Sequence, residues 1–323
     1  MAYVAISGVK RADLTENAEA RWQALRETRA DLAPALDLQR ALLTLVSDLA
    51  DKLDGGRLPR LSLPPRYIAA KLARGIPVFA GEPIPLPVPL LAPALVRFCD
   101  ALADGGAGDA ATHIREQLVS GNMDAASLLG ASLTRNQASI RTGATHRGLA
   151  PDLVWLIAEL AVSPFVHALQ EMLFGDAVRG AGAPGVHKDT ALTEALAQWT
   201  RGYCPACGSW PALAEVAFHG GGGHRTLRCS FCSSGWELPT YACIYCEHSG
   251  ADFVTAAPNE ERKDRRVEVC GACGGYLKTI DVTELSPFPL LSISDIETTD
   301  LDMAAMEHGY QRPQLKTFGP TKA

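Results

Sequence analysis

Eight of the nine cysteines of this chain fall in four Cys-x-x-Cys pairs: Cys204/Cys207, Cys229/Cys232, Cys243/Cys246 and Cys270/Cys273. A Cys-x-x-Cys turn aims two thiolates at one point, and two such turns complete a tetrahedron around a metal ion. Four pairs therefore predict two four-cysteine sites, both in the back of the chain. The first and second pairs are separated by 21 residues, the third and fourth by 23, and the inner two by only 10. The simplest parsing is two ribbons in tandem: Cys204/Cys207 with Cys229/Cys232, and Cys243/Cys246 with Cys270/Cys273. Interleaved pairing is the alternative.

Glycine follows the second cysteine in the first and last pairs, at Gly208 and Gly274, where closing the turn often needs a positive φ. Ser233 and Glu247 hold the equivalent places, so the repeat is imperfect in sequence. Zinc ribbons and rubredoxin iron sites both use such turns, and four thiolates suit Zn²⁺ and Fe alike. Zinc implies a structural role, whereas iron permits one-electron chemistry. A thioredoxin-type dithiol would need a βαβ pattern that is not seen. Iron–sulfur clusters call for tighter cysteine runs. Structural disulfides conflict with a reducing compartment. His219, His224 and His248 lie near the pairs as ligands or supporting donors, and surface or supporting roles are favoured because eight cysteines fill two sites. Cys99 sits alone in an apolar segment and reads as a core thiol.

At 323 residues the chain allows roughly two domains of ~150 residues each. It is 47% hydrophobic and 20% charged, with Ala and Leu dominating the first 200 residues. That balance fits a globular protein whose front is helical. The formal net charge is −6, and residues 201–323 hold 11 Lys and Arg against 15 Asp and Glu. Such a balance disfavours a nucleic-acid partner, where basic stripes are expected. The start lacks a basic segment before a long apolar run, so no secretory signal is expected. The apolar stretch 75–98 is broken by six prolines and cannot be a membrane helix. A cytoplasmic location is the resulting expectation.

Along the front, Leu38, Leu42, Leu45, Leu49 and Leu53 share one helix face, which Asp54-Gly55-Gly56 should end. Residues 83–90 alternate proline with apolar side chains and predict an extended arm. Further helices are expected over Asp109–Ser120, Asp124–Leu133, Asp152–Phe174 with a break at Ser163-Pro164, and Thr190–Thr200. Residues 175–188 read as a linker. Strands are expected at Leu213–Phe218, Arg225–Cys229, Trp236–Tyr241, Arg266–Val269 and Gly275–Val282. Gly220–Gly223 should form a turn, and 259–266 an exposed loop. A last helix over Asp300–His308 would be capped by Thr299 with Asp302 and ended by Gly309. The expected architecture is α+β. A mainly helical docking domain (1–189) precedes two β-rich, rubredoxin-like or zinc-ribbon modules (190–239 and 240–323), the second carrying the C-terminal helix. No nucleophile triad, phosphate loop or paired carboxylates stand out, so no catalytic residue is assigned.

The residues around the pairs resemble a known family. Residues 203–209 (YCPACGS), 225–232 (RTLRCSFC) followed by Trp236, and 267–281 (VEVCGACGGYLKTID) are similar to the formate dehydrogenase accessory family FdhE. So are residues 300–312 (DLDMAAMEHGYQR). The resemblance covers about residues 200–312 and is weaker over the front; the four-glycine turn and the last ten or so residues depart from the usual pattern. It implies a cytoplasmic maturation factor that is not itself an enzyme. Such a factor binds the catalytic subunit of formate dehydrogenase before export, with no membrane or nucleic-acid partner. It also implies rubredoxin-like metal sites, with iron reported in the family. On that basis Cys204, Cys207, Cys229, Cys232, Cys243, Cys246, Cys270 and Cys273 are the implied ligands of two metal ions, Fe or Zn. A rubredoxin-like electron-transfer or reductase component acting on the same partner is the alternative.

Overall fold

The computed structural model describes residues 3–4, 11–54, 58–59, 61, 63–175, 190–219, 222–258 and 262–316. Its helices are α1 (Arg11–Thr28), α2 (Ala33–Asp54), α3 (Pro65–Ala73), α4 (Val88–Leu102), α5 (Gly108–Val119), α6 (Ala125–Leu133), α7 (Gln137–His146), α8 (Pro151–Gln170), α9 (Thr190–Ala197), α10 (Leu291–Glu297) and α11 (Thr299–Glu307). The described residues divide into a helical unit, those within 10–62 and 81–169, and a strand-rich unit, those within 1–9, 63–80 and 170–318. The expected α+β architecture is borne out. Residues 63–80 cluster with the strand-rich unit although they lie in the front of the sequence.

In the helical unit the leucine face expected of α2 is present. Leu42, Leu49 and Leu53 are buried, while Leu38 and Leu45 are half-buried. The glycines expected to end this helix, Gly55 and Gly56, lie outside the described residues. Asp124 caps α6 by accepting a hydrogen bond from the Ser127 amide at 2.7 Å. Along the proline arm, Pro83 and Pro85 face solvent while Ile84 and Leu86 are half-buried. The arm ends earlier than expected, because Pro89 falls in the first turn of α4, where no backbone donor is needed. The break expected at Ser163-Pro164 does not occur, and α8 runs through it. Val162, Phe165, Val166 and Leu169 around the proline are fully buried. Their burial, at ~1.5–3 kcal/mol each, outweighs the ~3 kcal/mol cost of an interior proline. The helical stretch 151–175 is long and apolar enough to cross a membrane by length and composition, and most of it is buried within the protein. The linker expected at 175–188 lies, after Gly175, outside the described residues.

The strand-rich unit is built on one seven-stranded sheet: β1 (Tyr3–Val4), β2 (Pro211–His219), β3 (Gly222–Cys229), β4 (Gly235–Glu237), β5 (Phe253–Ala256), β6 (Arg265–Cys270) and β7 (Tyr276–Val282). The spatial order is β1-β4-β3-β2-β7-β6-β5. Strands β2, β3 and β4 form one antiparallel meander and β5, β6 and β7 another. The first strand of one meander joins the last strand of the other in parallel, pairing Leu213–Ala217 with Lys278–Val282. Two short strands, β1 and β5, escaped the sequence reading. Strand β4 stops at Glu237, well short of Tyr241. The expected 259–266 loop is shorter, since β6 already begins at Arg265, and residues 259–261 lie outside the described set, as do Gly220 and Gly221.

The C-terminal helices pack against β6 and β7. The cap expected from Thr299 and Asp302 is not formed: Thr298 occupies the cap position without a side-chain bond. Asp302 instead accepts from Lys278 Nζ at 2.6 Å and from Arg312 at 2.9 Å. Lys278 is fully buried, and Asp295 on α10 also accepts from both cations, at 2.7 and 2.9 Å. A buried lysine outcompetes a cap because an unpaired charge there is costly. Gly309, at φ 85°, ends the helix as expected.

Burial raises the Asp295 carboxyl, but Arg312 and Lys278 outweigh it and hold the group below its ordinary value of 3.8. A depressed carboxylate contributes stability above its unfolded pKa and loses it as pH falls through the folded value. Asp295→Asn should therefore cost no more than about 1 kcal/mol near neutrality, because the half-exposed carboxylate is partly screened by water. The cost should vanish in strong acid, a difference that urea unfolding at the two pH values reads directly.

Candidate metal centre

The four cysteine turns are one backbone structure repeated. In each, the amide of the residue after the second cysteine donates to the first cysteine's carbonyl: Gly208 to Cys204 (3.0 Å), Ser233 to Cys229 (3.2 Å), Glu247 to Cys243 (2.9 Å) and Gly274 to Cys270 (2.8 Å). In each, the first cysteine's amide donates onward to the carbonyl of Ser209, Ser234, His248 or Gly275, at 2.8–2.9 Å. All four closing residues have positive φ: 81°, 55°, 62° and 67°. The imperfection at Ser233 and Glu247 is thus one of sequence only, and those two residues accept a strained backbone. Ser233 is held by Arg228 Nη2, which donates to its carbonyl at 3.1 Å.

The meanders bring these turns together in the tandem pairing. The sulfurs of Cys204, Cys207, Cys229 and Cys232 form one group and those of Cys243, Cys246, Cys270 and Cys273 another, each within 4.8 Å. Individual separations are 3.5–3.8 Å in the first group and 3.7 Å in the second. Sulfurs at ~2.3 Å from a central ion stand ~3.8 Å apart at tetrahedral corners. A disulfide needs ~2.05 Å, and all nine cysteines are free. Burial pushes the Cys229 and Cys232 thiols well above their ordinary range, and raises Cys243 and Cys273 as well. Burial also raises Cys270, but the amides of Cys273 and Ala272 and the Cys246 sulfur bring it below its ordinary value. Four thiolates this close need a cation between them. The donor sets and spacings therefore fit a divalent metal, and either group could bind one.

The first group is enclosed. The Ser234 hydroxyl lies 3.1 Å from the Cys204 sulfur and 3.4 Å from that of Cys232; the Ser209 hydroxyl lies 3.4 Å from Cys207. A loop from the front of the sequence covers the first turn. Val78 and Phe79 amides donate to the carbonyls of Pro205 and Ala206 at 2.9 Å, and Tyr203 Oη donates to Gly75 at 2.7 Å. Buried Lys71 on α3 shapes that loop by donating to Val78 and Ala80 carbonyls at 2.8 and 2.6 Å. Beneath the group, fully buried Arg228 pairs with fully buried Glu215, which also accepts from the Ser286 amide and hydroxyl. None of Lys71, Glu215 or Arg228 was singled out from sequence; each is an isolated charge in an ordinary-looking helix or strand.

The second group opens to solvent. Cys243 and Cys270 are buried, but Cys246 and Cys273 are exposed. The two groups are neighbours through their turns. A side chain at Gly202 would strike the Ile244 carbonyl at 1.9 Å, so only glycine lets these segments meet. Ring contacts run from Trp199 through Tyr203 and Trp210 to Tyr245, with centroids 5.4, 5.8 and 5.1 Å apart. Tyr203 precedes Cys204, and Tyr245 lies between Cys243 and Cys246. The C-terminal segment also spans both: Gln311 donates to Gly274, and Trp210 donates to Gln314.

Among the described residues no histidine joins either sulfur group. His224 lies 3.4 Å from Glu237, and His248 lies 3.5 Å from Asp252. The His219 side chain lies outside the described set. Cys99 is fully buried on α4, and burial pushes its thiol up to about 12, as expected of a core thiol.

The fold and site define a class: a two-unit α+β protein in which one sheet of two joined meanders carries two four-cysteine clusters. No family model matches the chain. A curated FdhE homolog of Edwardsiella ictaluri is 35% identical over 118 residues, which is 36% of this chain and 38% of that protein. FdhE of Escherichia coli is 32% identical over 118 residues, again 36% and 38% of the two chains. The match thus spans about 38% of the length of these relatives. The crystal structure of the FdhE protein from Pseudomonas aeruginosa superposes with a TM-score of 0.54 at 23% identity, covering 94% of this chain and 95% of that one. At that identity the likeness is one of fold. These matches agree with the resemblance to FdhE proteins, the curated relatives over 36% of this chain and the solved structure in fold.

Two substitutions separate backbone strain from side-chain loss in the turns. A side chain at Gly274 meets nothing within 4 Å, so Gly274→Ala should cost only the left-handed penalty of about 1–2 kcal/mol. Glu247→Gly should stay within about 1 kcal/mol of wild type, as relief of strain offsets a more flexible unfolded chain. Denaturant midpoints of the metal-loaded protein check both.

Proposed function

We propose that this chain is a cytoplasmic maturation factor for formate dehydrogenase, that it binds the catalytic subunit of that enzyme, and that it has no catalytic centre of its own. The observation carrying this reading is the pair of four-sulfur clusters on a shared sheet, in a chain matching FdhE proteins. In this reading Cys204, Cys207, Cys229 and Cys232 hold one metal and Cys243, Cys246, Cys270 and Cys273 the other. Zinc would cross-link the turns, and iron would add one-electron chemistry. The protein's own contribution is rigid presentation: the sheet, the Lys71 loop and the Glu215–Arg228 pair hold the surface around the clusters in one geometry. The helical residues within 1–189 supply further docking surface. Affinity purification under anaerobic conditions should recover the formate dehydrogenase catalytic subunit. Absence of that subunit, with normal formate dehydrogenase activity in a deletion strain, would sink the proposal.

A second reading is favoured by the ring row Trp199–Tyr203–Trp210–Tyr245, which links the turns of the two clusters. With iron in both sites the chain would be an electron-transfer component for the same partner. A red, reducible ferric-thiolate spectrum supports it; colourless stoichiometric zinc removes it.

The ligand assignment has its own test. Cys204→Ser and Cys273→Ser should each lose one metal per chain and destabilise the strand-rich unit, because metal-binding free energy is folding free energy here. Elemental analysis showing two metals in both variants would refute the ligand set.

A further inference from the structure

The two clusters share a backbone turn but differ in what surrounds the sulfurs. In the first, Cys204, Cys229 and Cys232 are fully buried and Cys207 is 5% exposed. Ser209 and Ser234 fill the space beside the sulfurs, and both are buried. The loop tied down by Lys71 closes over the Pro205 and Ala206 carbonyls. In the second, one cysteine of each turn, Cys246 and Cys273, faces solvent. Their neighbours Glu247, Gly271 and Ala272 are exposed too, so the opening is a continuous edge. Among the described hydrogen bonds, no hydroxyl approaches the second group's sulfurs as Ser209 and Ser234 approach the first.

Metal–thiolate bonds exchange fastest when an incoming ligand can reach the ion before the old bonds break. An enclosed ion leaves only when its surroundings open, at the free-energy cost of local unfolding. Resting on the reading of both groups as metal sites, we propose that the second cluster is the exchange site. A soft divalent cation enters and leaves the folded protein across the Cys246/Cys273 edge. The first cluster keeps its ion until the strand-rich unit opens. In the exchange step a chelator's donors bind the ion as its bonds to Cys246 and Cys273 break. The bonds to Cys243 and Cys270 follow, and the freed thiolates take protons from water. No electron moves. The edge is also where a soft ligand such as a thiol would meet a bound metal.

The test uses the full chain loaded with zinc and challenged with a chromophoric chelator, with N-ethylmaleimide labelling mapped by peptide mass. Two equivalents should leave in two phases, the first at least about tenfold faster than the second. Label should appear first at Cys246 and Cys273, then at the other six. Cys246→Ser should abolish the fast phase and keep the slow equivalent. Release of both ions in one phase, first labelling in the Cys204–Cys232 group, or a fast phase surviving in Cys246→Ser each overturns the proposal. Failure to bind two equivalents at the outset overturns instead the metal reading on which it rests. Wild-type labelling stands even if the variant does not fold.

Discussion

Four sulfurs held within 4.8 Å of one another inside a protein are the constraint on which the strand-rich unit depends. As thiols they leave a loose polar hole, and as thiolates without a cation they repel. The fold meets this demand with backbone. Each turn reuses the same two hydrogen bonds and the same left-handed residue, whatever side chain occupies it. The strain at Ser233 is tolerated because Arg228, itself neutralised by Glu215, grips its carbonyl.

The sheet then turns two local sites into one body. Each meander carries one turn before its first strand and one after its second strand. The parallel pairing of β2 with β7 fuses the meanders, and Gly202 lets their turns touch. Lys278, Asp295, Asp302 and Arg312 fasten the C-terminal helices and the following segment to the same sheet. Two clusters so joined behave as parts of a single surface rather than as independent ribbons. This is the physical basis for reading them as a presentation device for a partner protein.

The identical turns do not make identical sites. Enclosure by Ser209, Ser234 and the 75–80 loop gives the first cluster the character of a core element, while the second is half-open. An enclosed four-sulfur group and a half-open one on one sheet combine rigidity with accessibility at the surface. The rings of Tyr203, Trp210 and Tyr245 link the turns of the two groups.

Much of this was legible from residues alone. Cysteine spacing predicted two groups and favoured tandem over interleaved pairing, because a Cys-x-x-Cys turn is a local structure and the two outer gaps are similar in length. Leucine periodicity gave α2, and Asp124 marked the start of α6, since both are short-range effects. The family resemblance also rested on local strings around the cysteines. Sequence could not show that α8 would run through Pro164, because the burial of Val162, Phe165, Val166 and Leu169 that outweighs a missing hydrogen bond is a tertiary effect. Nor could it show that Asp302 would leave its helix cap for Lys278, or that Lys71 would shape a loop over Cys204 and Cys207. These pairings join residues far apart in the chain, and long-range electrostatics and packing leave no periodic trace. The difference between the clusters belongs to the same category. Spacing determined that the cysteines form two groups and favoured the tandem pairing, and the tertiary structure alone decided which of them water can reach, because exposure depends on what the rest of the chain lays over each turn.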